Sequence, residues 1–415
     1  MHLCIYEDSG CSSFNPLTYF RPAYDLRCGI LTLREKIIRR YKGLPLVLHA
    51  RQSLHALLHE RSPDLPIGSV KAESCLFVNG RMLPTAAAAA LMRKQRDDAL
   101  FVHGSTIVGA LLSKDRLAAA RVQLAEDAFD PAEGVRLPRV EVEALEFRYP
   151  WDLLAANANE LASDFAVLRR SSSRRVSIHP SSVLANRKQI ALGEGTVVGP
   201  GAVIDARNGP VWIGRKVTIM PWAVLEGPCA VGEGSIVRIH AKIYSGTTIG
   251  PVCKVGGEIE GSIMLSHSNK QHDGFLGDSY LAMWVNLGAG TTNSNLKNTY
   301  GTVRVTVNGE EIDTGRMFVG VIAGDHVKTG INSSLNTGTI IGPSSNIFGG
   351  GLPSKYIPAF SWGGSQGFVT YDIEKALAVA KTVMGRRGVE ITSAYRETFR
   401  RVYETTRHER TNAAR

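Results

Sequence analysis

A six-residue repeat in the middle of the chain constrains the fold more than any other feature. Every sixth residue from 213 to 255 is aliphatic, and small or β-branched residues follow each of the first seven by four positions. The aliphatic series is Ile213, Ile219, Leu225, Val231, Val237, Ile243, Ile249 and Val255. This period is typical of a parallel β-helix, in which three hexads make one triangular coil with the aliphatic residues inside. We therefore predict a left-handed parallel β-helix over residues 175–360.

The repeat is interrupted twice. It fades between residues 257 and 280, and it returns at Leu281 and Leu287. Residues 296–316 then alternate in polarity and carry Asn308-Gly309, the pair favoured in tight β-hairpin turns. Later coils follow at Leu335 and beyond.

The two flanks have different patterns. Residues 1–170 alternate short apolar strands, such as LCIYE and LFVNG, with helical segments. This predicts an α/β domain with a Rossmann-like, partly parallel sheet that binds ligands at the carboxyl ends of its strands. Residues 171–175, SSSRR, are a predicted linker, and residues 370–415 are a predicted helical tail that packs on the β-helix or on a neighbouring subunit.

Composition narrows the partners. The net charge of +10 suits binding of phosphorylated small molecules. The sequence contains no Lys/Arg block interleaved with aromatic residues, so a nucleic-acid partner is not expected. The six cysteines are scattered without a CxxC pair, which argues against a disulfide framework or a structural zinc site. No apolar run approaches the ~18 residues of a membrane span. We expect a cytoplasmic protein.

One stretch, SNKQHDGFLGDSYLAMWVNLGAGTTNSN (268–295), lies where the repeat loses its rhythm. It presents His272, which titrates near neutral pH and can take a proton from an attacking amine. Asn286 and Asn295 offer amide groups to sugar hydroxyls. They are nine residues apart in a coil of about eighteen, which predicts different faces of the prism. The competing interpretation is that His272 has only a structural role, with its hydrogen bonds satisfied within a loop.

The motifs in and after this stretch resemble a known family. His272-x-x-Phe-Leu-Gly-Asp278, Val285-Asn-Leu-Gly-Ala-Gly-Thr291 and then Asn295 are similar to motifs of the bifunctional sugar-1-phosphate nucleotidyltransferase/glucosamine-1-phosphate N-acetyltransferase (GlmU-like) family. FVGVIAGDHVKTGIN (318–332) resembles its archaeal members. The resemblance covers residues 175–350 well and residues 1–165 loosely.

The resemblance implies roles for residues of the β-helix. His272 is then the general base that deprotonates the amine of glucosamine-1-phosphate as the amine attacks acetyl-CoA. Arg238 grips the sugar phosphate, while Asn286 and Asn295 bind the sugar. The acetyl-CoA arm or the oxyanion is held near Gly288, Ala289 and Gly290. Two positions depart from the family: its tyrosine is Phe275, and its phosphate-binding lysine aligns with Gly256, so Lys254 or Lys270 is the expected substitute.

The N-terminal domain departs further. In place of the glycine-rich loop of nucleotidyltransferases stands EDSGCSSFNPLTYFRPAYDLRCG, which leaves Gly10, Ser12, Arg21 and Arg27 as nucleotide-binding candidates together with Asn79. Both arginines have a second interpretation, as braces of the loop. Asn79 replaces the family's metal-binding aspartate, and amide oxygen is a poorer Mg²⁺ ligand than carboxylate. Asp152 and Asn157 are the remaining candidates for a Mg²⁺ site.

These expectations combine into one leading hypothesis. The β-helix transfers an acetyl group from acetyl-CoA to glucosamine-1-phosphate or a similar amino-sugar phosphate, and the first domain transfers a nucleotidyl group from UTP or dTTP. A homotrimer is implied by the resemblance. The alternative keeps only nucleotidyl transfer, with the β-helix as an oligomerisation scaffold. A third hypothesis makes the N-terminal half a non-catalytic binding domain.

Overall fold

The computed structural model describes residues 1–134, 136–168 and 175–413. Apart from Arg175, the predicted linker 171–175 lies outside the described residues. Within these ranges no helix is both long and apolar enough to cross a bilayer.

The N-terminal domain is a mixed six-stranded sheet flanked by helices. In spatial order its strands are Leu46–Leu48, His2–Tyr6, Ser74–Asn79, Thr106–Ser113, Ala99–His103 and Arg139–Glu141. The helices are α1 Leu33–Arg40, α2 His55–Arg61, α3 Ala86–Lys94, α4 Lys114–Gln123 and α5 Pro150–Leu168. Strands 2–6 and 74–79 run parallel and end at the same edge. Ligand sites in such sheets form at this edge.

The β-helix has three faces of parallel strands, which confirms the predicted fold. Face one contains Ser177–Ile178, Val197–Val198, Thr218–Ile219, Ile236–Val237, Lys254–Val255 and Asn269–Lys270. Face two contains Val183–Ala185, Val203–Asp205, Val224–Glu226, Lys242–Ile243, Glu258–Glu260 and Phe275–Gly277.

Face three is the longest, with nine strands. They are Ile190–Leu192, Val211–Ile213, Cys229–Val231, Thr247–Ile249, Ile263–Met264, Tyr280–Leu281, Ile322–Ala323, Ile340–Ile341 and Tyr356–Ile357. The later strands on the other faces are Thr292–Asn293, Lys328–Thr329, Ser334–Leu335, Asn346–Ile347, Ser361–Gly364 and Gly367–Thr370. The aliphatic residues of the repeat line the interior and are almost fully buried.

The coils shorten where the repeat fades. Val237 pairs with Val255, 18 residues later, whereas Val255 pairs with Lys270, only 15 residues later. The predicted hairpin is present between the two later sections, with strands Arg304–Val307 and Glu310–Asp313. Asn308 and Gly309 both have positive φ, as a tight hairpin turn requires.

The N-terminal domain packs on the β-helix through a continuous apolar core and buried polar contacts. Asn157 of α5 donates to Gly246 O at 2.7 Å and to Thr248 Oγ1 at 3.0 Å on face three. Arg21 forms a buried ion pair with Asp325. These contacts fix the first domain against the β-helix coils that flank the His272 stretch.

The chain ends in three helices, α6 Ile373–Gly385, α7 Ser393–Thr405 and α8 Arg407–Ala413. Their apolar residues share one core with Phe20 and Leu54 of the first domain and with Trp284 and Phe360 of the β-helix. This docking brings the end of α6 beside face one, where the irregular stretch begins.

Candidate active site

The turn that carries His272 is held between coils in which glycine permits close approach. The His272 side chain is exposed. On the preceding coil, a Cβ at Gly257 would lie 2.8 Å from His272 O, and Gly257 has a positive φ of 67°. On the following coil, the Gly290 N–H donates to Asp273 O at 3.1 Å. Neighbouring coils thus fix the backbone of the turn while its imidazole stays accessible.

His272 opens into a cavity of about 500 Å³ at this corner of the prism. We name it the histidine cavity. It is lined by residues of five successive turns: Arg238, Ile239, Gly256, Gly257, Gln271, His272, Asp273, Ala289, Gly290, Ile331 and Asn332. The structure therefore brings the predicted base, His272, together with Arg238 and with two of the three predicted acetyl-CoA positions.

Those three positions differ in their backbone amides. The Gly288 N–H donates to Thr329 Oγ1 at 3.0 Å, and the Gly290 N–H is engaged by Asp273 O. No described residue accepts a hydrogen bond from the Ala289 N–H. Of the three amides, the one at Ala289 is available to an oxygen atom of a ligand in the histidine cavity.

A second cavity, of about 300 Å³, lies between face one and the end of α6. We name it the basic cavity. Its lining residues are Lys254, His267, Asn269, Gln271, Trp284, Asn286, Lys328, Val383, Arg386 and Arg387. The lining holds four Lys and Arg residues, and none of the described lining residues is Asp or Glu. Gln271 lines both cavities, so the two adjoin.

The cations of the basic cavity perturb one another. The Arg387 guanidinium, followed by burial, lowers the pKa of Lys254. Burial lowers the pKa of Lys328 to about 8, and burial together with Arg387 lowers the pKa of His267. Repulsion among like charges is relieved by a bound anion, so the arrangement favours a phosphate-bearing ligand.

The two predicted sugar-binding asparagines occupy different places. Asn286 bridges Asn269 and Lys328 on face one and lines the basic cavity. Asn295 donates to Asp278 Oδ2 at 2.7 Å, close to the Phe275 ring, because Gly277 leaves room for both. Burial raises the pKa of Asp278, and the hydrogen bond from Asn295 opposes that rise. Neither Asn295 nor Phe275 lines the histidine cavity.

Lys270 departs from the expectation that it binds substrate. Its strand pairs it with Val255, so its side chain points into the prism and is 1% exposed. The ammonium donates to Gly256 O at 3.1 Å and to His272 O at 2.5 Å. A side chain enclosed in this way does not reach a sugar phosphate in the cavity. Lys254, the other expected lysine, lines the basic cavity.

A third cavity, of about 450 Å³, lies at the carboxyl ends of the parallel strands of the N-terminal sheet. Asn79 lines it and donates to Asp8 Oδ2 at 2.8 Å. Arg81 pairs with Asp8 at 2.8 Å and with Glu146 at 3.2 Å. Gly10 lies beside them, and a Cβ there would lie 2.7 Å from Arg81 Nε. Asp8 and Arg81 were not predicted from the sequence, although each follows the end of a parallel strand by two residues.

The remaining N-terminal candidates have structural contacts. Arg21 is 2% exposed and pairs with Asp325, and the backbone of Arg27 exchanges hydrogen bonds with the Tyr280 hydroxyl at 2.8 and 2.9 Å. The Arg21 side chain therefore braces the first domain against the β-helix, whereas the Arg27 guanidinium donates to Ile30 O within its own loop. Ser12 accepts from Asn308 of the hairpin through its carbonyl oxygen at 3.1 Å.

The predicted Mg²⁺ ligands do not form a metal site. Asp152 accepts from the backbone of Arg148 and Tyr149 at the start of α5. Asn157 is fully buried, and its oxygen accepts from Gly29 N–H at 2.6 Å. No group of three or more His, Cys, Asp or Glu among the described residues is arranged to hold a metal ion. Both predicted ligands are therefore engaged in structural contacts.

Comparison with known proteins agrees with this architecture. The sugar nucleotidyl transferase family model matches residues 3–173. A bifunctional sugar-1-phosphate nucleotidylyltransferase/acetyltransferase of Sulfurisphaera tokodaii is 33% identical over 124 residues, 30% of each chain. Bifunctional protein GlmU of Methanococcus aeolicus is 31% identical over 234 residues, 56% of this chain and 46% of that one.

The matches cover only part of each relative: the alignments span about a third to a half of the length of the curated relatives. Among solved structures, the UDP-N-acetylglucosamine acyltransferase of Francisella novicida aligns with 53% of this chain and 72% of its own, at 14% identity and a TM-score of 0.31. That likeness is too low to carry an inference about activity.

Proposed function

We propose that the chain is a divergent member of the GlmU-like family and that its β-helix acetylates the amine of an amino-sugar 1-phosphate. The donor is acetyl-CoA, and glucosamine-1-phosphate is the proposed acceptor. One observation supports this more than any other: an exposed histidine, an arginine and a free backbone amide line the same cavity. The division into residues 1–170, 175–360 and 370–415 is part of the proposal.

Each of these three groups has a role in acetyl transfer. The His272 imidazole accepts a proton from the sugar amine as the nitrogen attacks the thioester carbon. The Ala289 N–H donates to the oxyanion of the tetrahedral intermediate. The C–S bond then breaks, and His272 returns the proton to the departing thiolate. A positioned general base contributes about 10²–10⁴-fold to such a rate.

The anionic parts of both substrates find cations nearby. Arg238 offers a guanidinium fork to the sugar phosphate within the histidine cavity. The basic cavity adjoins at Gln271, and there Lys254, Lys328 and Arg387 suit the phosphates of the CoA nucleotide. Acetyl-CoA then spans the two cavities, with its thioester next to His272.

A homotrimer completes the site in this proposal. Ile239 and Ile331 lie on the rim of the histidine cavity and are 50% and 72% exposed. Exposed apolar residues around a polar cavity suit burial against another subunit. Asn295, on a different part of the coil from Asn286, then serves the site of a neighbouring subunit.

For the N-terminal domain we propose a divergent sugar-1-phosphate nucleotidyltransferase that uses UTP or dTTP. The nucleotide occupies the cavity beside Asp8 and Asn79. Arg81 is the cation nearest to its phosphates once the ion pair with Asp8 opens. Nucleotidyl transfer as the sole activity is not favoured, because a passive scaffold leaves the convergence of His272, Arg238 and Ala289 unexplained.

The test is the release of CoA thiol from acetyl-CoA by the full chain. We expect release with glucosamine-1-phosphate and none above background with glucose-1-phosphate, which lacks the amine. The absence of release with glucosamine-1-phosphate, or equal release with both sugars, would contradict acetyl transfer. Pyrophosphate release from UTP with N-acetylglucosamine-1-phosphate tests the first domain separately.

A further inference from the structure

Lys270 is a charged residue at a position of the prism interior that is aliphatic in the preceding coils. On face one the interior position is held by Ile219, Val237 and Val255 in successive coils, and the same column then places Lys270. The side chain is 1% exposed, and no described carboxylate forms an ion pair with it. An ammonium buried without an ionic partner destabilises a fold relative to an apolar side chain of similar size. A function other than stability therefore accounts better for its presence.

The contacts of the ammonium indicate that function. It donates to His272 O at 2.5 Å and to Gly256 O at 3.1 Å, so it joins two successive turns from the inside. The same two turns are also in close contact on the outer side of the prism. A Cβ on Gly256 would lie 2.6 Å from the carbonyl oxygen of Gln271. His272 is anchored by its own carbonyl while its imidazole remains exposed.

The short coil explains why a lysine is needed. Only 15 residues separate Val255 from Lys270, compared with 18 between the preceding pair of interior residues. The shortening lies just before Lys270: only Gly256 and Gly257 join the strands of faces one and two in this coil, whereas residues 238–241 join them in the preceding coil. An internal donor replaces the ladder hydrogen bonds that regular coils supply.

We propose that Lys270 is a positioning residue, an internal tether that holds the His272 turn in the geometry that the general base requires. The inference rests on the proposed function of His272. It assigns Lys270 no contact with substrate and no part in proton transfer. A misplacement of about 1 Å in a catalytic group can cost roughly 100-fold in rate.

The direct test is Lys270→Met, which keeps an unbranched side chain and removes the donor. We expect kcat for CoA release to fall about 10- to 100-fold, KM for acetyl-CoA to stay within about twofold, and the melting temperature to be unchanged or higher. Leu225→Met, in the interior of face two, is the control for core volume and should keep the wild-type kcat. An unchanged kcat in Lys270→Met would overturn the tether.

Hydrogen exchange of the segment 270–276 provides a readout that does not depend on activity. We expect exchange in Lys270→Met to be about tenfold faster there than in wild type, with no change at 241–249. If wild type released no CoA, the proposed function would fail, and exchange would still decide the tether. Equal exchange in both proteins would overturn it.

A second variant, Gly256→Ala, tests the same requirement if Lys270→Met does not fold. Gly256→Ala leaves Lys270 in place and displaces the turn from the outside, since its Cβ would collide with the Gln271 carbonyl. We expect the same fall in kcat with unchanged KM. Wild-type kcat in Gly256→Ala would contradict the requirement for a fixed turn.

Discussion

The guanidinium of Arg387 donates a hydrogen bond to Asn269 Oδ1 at 2.7 Å, and this contact fixes the segment after α6 over the basic cavity. Asn269 in turn donates to Asn286 Oδ1 at 3.3 Å. The C-terminal tail thus supplies two arginines to a cavity whose lysines come from the β-helix. In the proposed function this cavity receives the phosphates of acetyl-CoA.

Removing the two tail charges should weaken acetyl-CoA binding. We predict that Arg386→Gln/Arg387→Gln raises KM for acetyl-CoA about 10- to 100-fold, the effect of one or two charge-assisted hydrogen bonds. KM for glucosamine-1-phosphate should change less than threefold. Arg400→Gln, on α7 and paired with the exposed Glu374, is the control and should leave both values unchanged. Equal KM values in the double variant and wild type would remove the basic cavity from the site.

The Arg21–Asp325 ion pair should be a strong contact between the first domain and the β-helix. Both side chains are almost fully buried, so Arg21→Met leaves an uncompensated carboxylate. We predict a loss of about 3–5 kcal/mol in the free energy of unfolding. Denaturant unfolding measures it. Glu397→Ala, which breaks an exposed pair with Arg401, should cost under about 1 kcal/mol, and a similar small loss for Arg21→Met would contradict the prediction.

The buried Lys270 predicts a pH-dependent difference in stability. Burial lowers its pKa to about 8 in the folded chain, below the ordinary value of about 10.4. Between these values the unfolded chain binds more protons, so wild type gains stability as the pH rises through 8. Below pH 8 the cost of the buried charge is fully present.

Lys270→Met should therefore be more stable than wild type by about 1–3 kcal/mol near pH 7, with the difference shrinking above pH 8. Thermal unfolding of both proteins between pH 6 and 10 measures it. A difference that grows with pH would show that the ammonium stabilises the fold. Leu225→Met should give a difference that does not depend on pH.

The N-terminal cavity should be separable from acetyl transfer. We predict that Arg81→Met weakens UTP binding about tenfold, the scale of one charge-assisted hydrogen bond, and leaves kcat for CoA release within about twofold. Calorimetric titration with UTP measures the first. Arg93→Met, at the exposed end of α3, is the control. Unchanged UTP affinity in Arg81→Met would remove Arg81 from the nucleotide site.

The interior of the β-helix could be read from the sequence because each hexad maps onto one strand and one corner. The inward orientation of Lys270 could not be predicted from the sequence. It results from a coil that is three residues shorter than the preceding one, and the six-residue period is lost there. The convergence of His272, Arg238 and Ala289 on one cavity followed from motifs in the sequence, although Arg238 lies two coils before His272.

Contacts between segments that are distant along the chain could not be predicted from the sequence. Asn157 has the residue type of a metal ligand, yet docking onto Gly246 and Thr248 satisfies its amide. Arg387 lies in a segment that reads as an ordinary solvated helix end, and only the packing of α6 on face one places it beside Lys254. In each case the deciding partner is far along the chain.

The central claim is that His272 is the general base of acetyl transfer. The most direct measurement is kcat for CoA-thiol release from acetyl-CoA and glucosamine-1-phosphate by His272→Ala, with His179→Ala as an exposed histidine on the first coil for comparison. We predict a loss of about 10²–10⁴-fold in His272→Ala and none in His179→Ala. A wild-type rate in His272→Ala would contradict the account.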